Sequence, residues 1–303
     1  MNAVLAPVPL SFEDWAAARQ QQFERVAAAQ LPLATDQPKR LHEAMRYAVL
    51  GGGKRVRPLL VHAAGEAFGA PAAALDAAAL AVEYVHVYSL IHDDLPCMDD
   101  DVLRRGKPTV HVAYDEATAM LAGDGLQAEA FKVLADLPQP PAQAAAMIRE
   151  LAHAASTAGM CGGQALDLAA IGRRLTLEEL ERMHRMKTGA LLVVSVRLGV
   201  IAARADAIVP APLERYAQAI GLAFQIVDDV LDVEGSAASL GKSAGKDASQ
   251  GKPTYVSVMG LAAARARAAA LRQEALAALD ELPPANAVMR LRELAEFIVA
   301  RDS

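Results

Sequence analysis

Eight aspartates in two short clusters carry the strongest chemical signal in this sequence. The first cluster, Asp93-Asp94-Leu95-Pro96-Cys97-Met98-Asp99-Asp100-Asp101, follows the apolar run Tyr84–His92. The second, Asp228-Asp229-Val230-Leu231-Asp232, lies inside an otherwise apolar stretch that begins at Gly221. Asp228 and Asp232 are i and i+4 on a helix, so they share a face and repel. Aspartate is also a poor residue in a helix interior. Asp93 falls in the last turn of a helix, where the macrodipole disfavours negative charge. Both arrangements cost stability, and a bound cation explains them. Donors that are all oxygen suit Mg²⁺, which keeps waters and shares ligands with substrate phosphates. Two such clusters on facing helices would cage several Mg²⁺ ions and a diphosphate.

Cations that could grip a diphosphate stand elsewhere along the chain. Gly51-Gly52-Gly53-Lys54-Arg55-Val56-Arg57-Pro58 opens one helix, and Arg104-Arg105 follows the first acidic cluster. Lys187-Thr188 and Lys242 come later. Each is uninformative alone. A Lys/Arg pair after glycines is usually an exposed helix start, and an isolated His86 is usually a core histidine. His92, His111 and His184 have no zinc spacing, and Cys97 reads as a spacer between aspartates rather than a redox switch.

These residues need rigid elements to bring them together. Hydrophobic residues make up 53% of the 303 residues and charged residues 22%, which excludes disorder. Aromatics are only 4% and alanine is abundant, so an all-α fold is expected. Helical periodicity runs from end to end. Ser11 is a candidate N-cap with Asp14 at N3. Helices are expected at about Ser11–Ala29, Pro38–Leu50, Pro58–Phe68 and Ala72–Asp93. Further helices are expected at Tyr114–Leu121, Asp124–Leu137, Ala142–Thr157, Thr176–Lys187, Ala190–Arg204 and Ala211–Asp232. Pro283-Pro284 separates the last two, Leu261–Leu282 and Ala285–Arg301. The pattern describes one domain over residues 1–303, a bundle of ten or more helices around a central cavity. Its candidate functional loop is Glu234–Pro253, rich in glycine and lysine. A net charge of −6 argues against nucleic acid as partner. The two cysteines, Cys97 and Cys161, lack metal spacing and fit a reduced, cytoplasmic protein. No signal peptide or membrane span is expected, because the longest apolar stretch, Ala190–Ala203, is short and interrupted by Arg197.

Taken together and in order, these segments resemble the trans-isoprenyl diphosphate synthases, and most of all the bacterial farnesyl diphosphate synthases. The resemblance rests on Gly52–Pro58, Ser89–Gly106, Gly163-Gln164-Ala165-Leu166-Asp167-Leu168, Lys187-Thr188, Phe224–Asp232 and Gly241–Asp247. It implies a Mg²⁺-dependent condensation of isopentenyl diphosphate with an allylic diphosphate, dimethylallyl or geranyl, in an all-α isoprenoid synthase fold. It further implies three Mg²⁺ per active site, with Asp93, Asp99 and Asp228 as metal ligands. Asp94, Asp100, Asp229 and Asp232 become water-mediated or supporting partners. Gly53, Lys54, Arg57, His86 and Arg105 match the isopentenyl diphosphate site. Arg104, Lys187 and Lys242 match the allylic diphosphate site. Thr188 and Gln225 match neutral groups at the reaction centre, and with Lys187 make up the catalytic set. A terpene cyclase would carry a different metal triad on the second wall. A non-catalytic partner subunit would have lost one acidic cluster.

Product length is expected to be set below Asp93, where Ser89 is at i−4 and Tyr88 lies about 7 Å down the helix. Periodicity leaves open which of the two points inward. By resemblance both positions control length, and an aromatic followed by a small residue, with the Pro96-Cys97 insertion, matches the bacterial C15 pattern. C10 and C20 products are the alternatives. The resemblance also implies a homodimer. The stripe Leu191, Val194, Leu198 and Ile201 would serve either its interface or the core.

Overall fold

The computed structural model describes residues 10–138, 140–204, 208–234, 251–282 and 287–300. The first helix, α1 (Phe12–Gln30), is capped as expected: the Ser11 hydroxyl accepts from the Asp14 amide. It is followed by α2 (Lys39–Val49), α3 (Val56–Ala67) and α4 (Ala72–Asp93). A small antiparallel hairpin, β1 (Leu103–Arg104) and β2 (Lys107–Pro108), comes next. Then come α5 (Val110–Ala113), α6 (Glu116–Ala135), α7 (Pro141–Ala155), α8 (Met160–Ala170) and α9 (Leu177–His184). A five-residue π turn, Arg185–Gly189, joins α9 to α10 (Ala190–Ala203) without a break. The remainder is α11 (Ala211–Glu234), α12 (Tyr255–Met259), α13 (Leu261–Asp280) and α14 (Met289–Ala300).

The all-α expectation holds, and local differences have physical causes. Residues 116–135 form one helix where two were expected. Gly123 does not interrupt it, because the bare glycine is where α6 meets α4. A Cβ there would lie 2.1 Å from the His92 imidazole. The sequence reading also missed α8, whose two glycines weaken the helical signal. Gly163 of α8 is needed for contact: a Cβ would lie 2.1 Å from the backbone nitrogen of Lys187.

Helix α10 is the axis of the molecule and is surrounded by α3, α4, α7 and α11. Leu191, Val194, Leu198 and Ile201 join the core built around α4, α6 and α7. Leu192, Val196 and Val200 join the core built around α3, α11, α13 and α14. Both apolar stripes are covered by neighbouring helices, so the stripe at Leu191, Val194, Leu198 and Ile201 belongs to the core of the monomer. Among the described residues two segments are long and apolar enough to cross a membrane, α4 and residues 177–203. Both are largely buried inside the fold.

Helices α3 and α10 cross closely at Gly65 and Gly199. A Cβ on Gly199 would lie 2.5 Å from the carbonyl oxygen of Val61 and 2.8 Å from the amide nitrogen of Gly65. The obstacle is backbone, which cannot rotate away. Gly199→Ala is therefore expected to destabilise the protein by about 1–3 kcal/mol or more. Chemical denaturation with unchanged m-value checks this, and wild-type stability would refute the crossing.

Candidate active site

The two acidic clusters and most of the cations meet at one cavity of about 680 Å³, within the size range of ligand pockets. Asp93 stands at the end of α4. The chain then turns tightly through residues 95–98, with the Met98 amide donating to the Leu95 carbonyl at 2.8 Å. This turn absorbs Pro96 and Cys97 and returns the chain, so that the Asp99 amide donates to the Asp93 carbonyl at 2.8 Å. Two carboxylates six residues apart thereby line one wall. Asp228 of α11 lines the opposite wall.

Four acidic groups in or beside the site have a donor from another element. Gln164 of α8 donates to Asp93 at 2.8 Å. Arg104 grips both oxygens of the buried Asp94, at 2.5–2.9 Å. Lys252 reaches Asp99 at 2.7 Å. Lys187 reaches Asp167 at 2.5 Å. Burial raises Asp93 to about 6, an effect that Lys187 opposes and Asp99 adds to. Burial alone would lower Lys187, but Asp167, Asp93 and Asp99 reverse this and hold it raised. The ammonium therefore stays charged in the cavity wall.

The neutral groups form a directed chain. The backbone amide of Tyr255 donates to Asp229 Oδ2 at 2.7 Å, and Gln225 Nε2 donates to Asp229 Oδ1 at 2.8 Å. A carboxylate accepts only, so the Gln225 amide group must face it. The Gln225 oxygen is then left to accept the Thr188 hydroxyl, at 2.7 Å. Thr188 and Lys187 sit on the π turn, whose extra residue presents both to the cavity.

The basic end of the cavity is built from Arg57, His86 and Arg105. Arg105 and Gly106 have φ of 53° and 73° and turn the hairpin back in two residues, as a type I′ turn requires. The Arg105 guanidinium donates to the Gly52 carbonyl and lies over Gly53, where a Cβ would come within 2.7 Å of it. Lys54 is half-buried on the same loop, beyond the residues that line the cavity. Between it and Arg57 stands Arg55, left-handed at φ 52° and fully buried. It bonds Glu24 at 2.6 Å, Glu83 at 2.9 Å and the Val49 carbonyl, over the ring of Phe23. Burial and the charges of Arg57, Arg105, Arg104 and Arg55 push the His86 imidazole well below its ordinary range.

Most of the residues expected at the site are brought together, and both Tyr88 and Ser89 line the cavity. Lys242 lies outside the described residues. Lys252, Gln164, Asp167 and Arg55 were not anticipated in any role. All four stand in the quoted motifs or beside them, but their partners are far away in sequence.

Each arginine near His86 disfavours its protonated form, so the ligand-free imidazole is neutral at pH 7 and stays so well into the acid range. A diphosphate bound beside it reverses the local sign, and its pKa is expected to rise. An NMR titration of labelled histidine, with His86→Gln for assignment, checks both statements. A His86 that titrates near 6.5 in the free protein would refute them.

Comparison with known proteins agrees with this geometry. The polyprenyl synthetase family profile matches residues 38–283. The farnesyl diphosphate synthase of Haemophilus influenzae is 49% identical over 285 residues, 93% of each chain. The apo structure of an FPP/GFPP synthase from Zymomonas mobilis superposes with a TM-score of 0.84 at 42% identity, covering 95% of this chain and 98% of its own. A geranyltransferase from Helicobacter pylori, complexed with magnesium and isoprenyl diphosphate, superposes with a TM-score of 0.83 at 32% identity, covering 97% and 98%. With its motif residues gathered around one cavity and matches of this extent, the chain belongs to the polyprenyl synthetase family of trans-isoprenyl diphosphate synthases.

Proposed function

We propose that the protein condenses isopentenyl diphosphate with dimethylallyl and then geranyl diphosphate, releasing diphosphate and farnesyl diphosphate. The supporting observation is a single cavity with Asp93 and Asp99 on one wall, Asp228 on the other, and a separate basic end at Arg57, His86 and Arg105. The relatives' names favour the same reaction.

The donor set fits Mg²⁺. Among the described residues no cluster of three or more acidic, histidine or cysteine side chains forms a complete metal cage. Three carboxylates around a shared volume suit ions that take their other ligands from water and diphosphate oxygens. Asp93, Asp99 and Asp228 would hold the ions, three by analogy with the family, and bound Mg²⁺ would neutralise the leaving diphosphate. Charge that develops as the allylic C–O bond breaks is met by Arg104, Lys187 and Lys252, with Lys242 completing the set. The Thr188 hydroxyl and Gln225 carbonyl place negative dipole ends beside the carbocation. Arg57, His86 and Arg105, with Lys54 and the cradle at Gly53, hold the second diphosphate so that its alkene faces that cation. Attack by the alkene and loss of a proton complete the elongation. We assign residues 1–303 to one catalytic domain, acting as a cytoplasmic homodimer, which analytical ultracentrifugation tests.

The assay is extension of dimethylallyl diphosphate by labelled isopentenyl diphosphate in Mg²⁺. Chelation is expected to abolish turnover. Asp93→Ala or Asp228→Ala should cost about a thousandfold or more, roughly 4 kcal/mol of transition-state stabilisation. Near-wild-type turnover by either variant at saturating Mg²⁺ would exclude the metal assignment. In the same assay Lys54→Ala and Arg57→Ala should mainly raise the KM for isopentenyl diphosphate. Arg104→Ala should act on the allylic substrate or on kcat.

Product length is checked by chromatography. Tyr88→Ala is expected to extend the product to C20 or beyond, and Ser89→Phe to shorten it to C10. Unchanged C15 from both folded variants would place the cavity floor elsewhere.

A further inference from the structure

The loop from α2 to α3 carries Gly53, Lys54 and Arg57 to the basic end of the cavity, and Arg55 in its middle turns the other way. Three glycines stand just before it, yet the residue that caps α3 in the left-handed conformation, at φ 52° and ψ 38°, is an arginine. Glycine adopts those angles freely, whereas a residue with a Cβ is strained there. The side chain supplies what the backbone loses. Its guanidinium donates to Glu24 of α1 at 2.6 and 3.0 Å, to Glu83 of α4 at 2.9 Å, and to the Val49 carbonyl at the end of α2 at 2.5 Å. The Phe23 ring lies beneath it, with its centroid at 4.6 Å. Three helices thus meet at one side chain. The same loop is held elsewhere by Gln20 of α1, which donates to the Lys54 carbonyl at 2.9 Å, and by Arg105, which donates to the Gly52 carbonyl. Arg55 pins the stretch between Lys54 and Arg57. Its partner Glu83 stands three residues before His86 on α4, so neighbouring positions on one helix anchor the loop and line the basic end.

Stability is a poor account of this arrangement. The Arg55 side chain is fully buried and that of Glu83 is 2% exposed. Glu83 Oε2 has no hydrogen-bond partner among the described residues. A buried ion pair of this kind gains little over well-packed apolar side chains of the same size. What it adds is direction, because a planar guanidinium with a fixed fork sets the orientation of the backbone that bears it. The carboxylates also act on the cation across the loop: burial lowers Arg105, and Glu83 and Glu24 oppose this from behind.

We infer that Arg55, gripped by Glu83 and Glu24, is the positioning residue of the isopentenyl diphosphate site, fixing the loop backbone so that Arg57 meets the second diphosphate with Gly53 and Lys54 beside it. Arg55 is buried behind the cavity wall and acts through these neighbours. The metal end is tied by its own bonds, to Gln164, Arg104 and Lys252, and keeps its geometry when the fork is lost. This inference rests on the proposed condensation reaction.

The test removes the ion pair as a pair. Arg55→Met combined with Glu83→Met exchanges it for apolar side chains of similar length, and chemical denaturation reports whether the fold is kept. In the folded double variant the KM for isopentenyl diphosphate is expected to rise at least tenfold, while the KM for geranyl diphosphate and kcat stay within about threefold of wild type. Arg55→Lys keeps the charge without the fork and should raise the same KM alone, by about threefold or more. An unchanged KM for isopentenyl diphosphate in the folded double variant overturns the inference. Comparable losses in both KM values and kcat also overturn it, because a purely structural pair would give that result. If the double variant does not fold, Arg55→Lys and Glu83→Gln decide by the same split. A selective rise supports the inference, and no rise or an equal effect on both substrates overturns it. A wild-type protein that extends no allylic diphosphate refutes the reaction itself and is distinguishable from all of these.

Discussion

Negative charge gathered inside an apolar helix bundle is the constraint on which the rest of the site depends. Carboxylates in such a place raise one another's pKa and lose hydration, so each needs a positive or donating neighbour. The chain supplies most of these neighbours from distant segments. Gln164 serves Asp93, Arg104 serves Asp94, Lys252 serves Asp99 and Lys187 serves Asp167. The amide of Tyr255 and the side chain of Gln225 serve Asp229. Five segments are thereby tied to one another through the cavity wall. The ties hold these aspartates in place and prearrange the ammonium groups for a diphosphate.

The basic end shows the same problem with the sign reversed. Arg57, Arg105 and His86 crowd together there, with the charges of Arg104 and Arg55 close by. Its support comes from behind, where Arg55 is buried between Glu24 and Glu83. Losing one partner of such a buried group typically costs about 3–5 kcal/mol. Arg55, Asp100 and Arg105 are the non-glycine residues with positive φ among those described, and all three belong to loops around the cavity. Backbone strain thus sits where groups must be aimed.

The helical class was legible because alanine content and apolar periodicity repeat over hundreds of residues. The acidic clusters were legible because they violate helical preference inside apolar runs. What escaped was set by contacts between segments. Gly123 looks like a helix break in sequence, yet it is a seat for His92. Gly163 hides α8 by weakening its propensity, and its reason is the backbone of Lys187. Lys252 has no local signal, since its partners are at positions 99 and 167. The stripe on α10 read equally as interface or core, and only the opposing stripe at Leu192, Val196 and Val200 shows that both faces are covered.

The π turn at Arg185–Gly189 means that position along this chain and angle around the helix axis are out of step by one residue. An α-helix advances 100° per residue. Deleting one residue between His184 and Ala190 would let residues 177–203 run as a regular helix and would rotate α9 against α10 by about that angle. Every named side chain would survive in the sequence, and Lys187 and Thr188 would no longer share a wall with Gln225 and Asp167. A gene that keeps each motif letter but loses this one codon would encode a folded bundle whose cationic and neutral groups face different ways. Spacing here is therefore as much an inherited trait as residue identity.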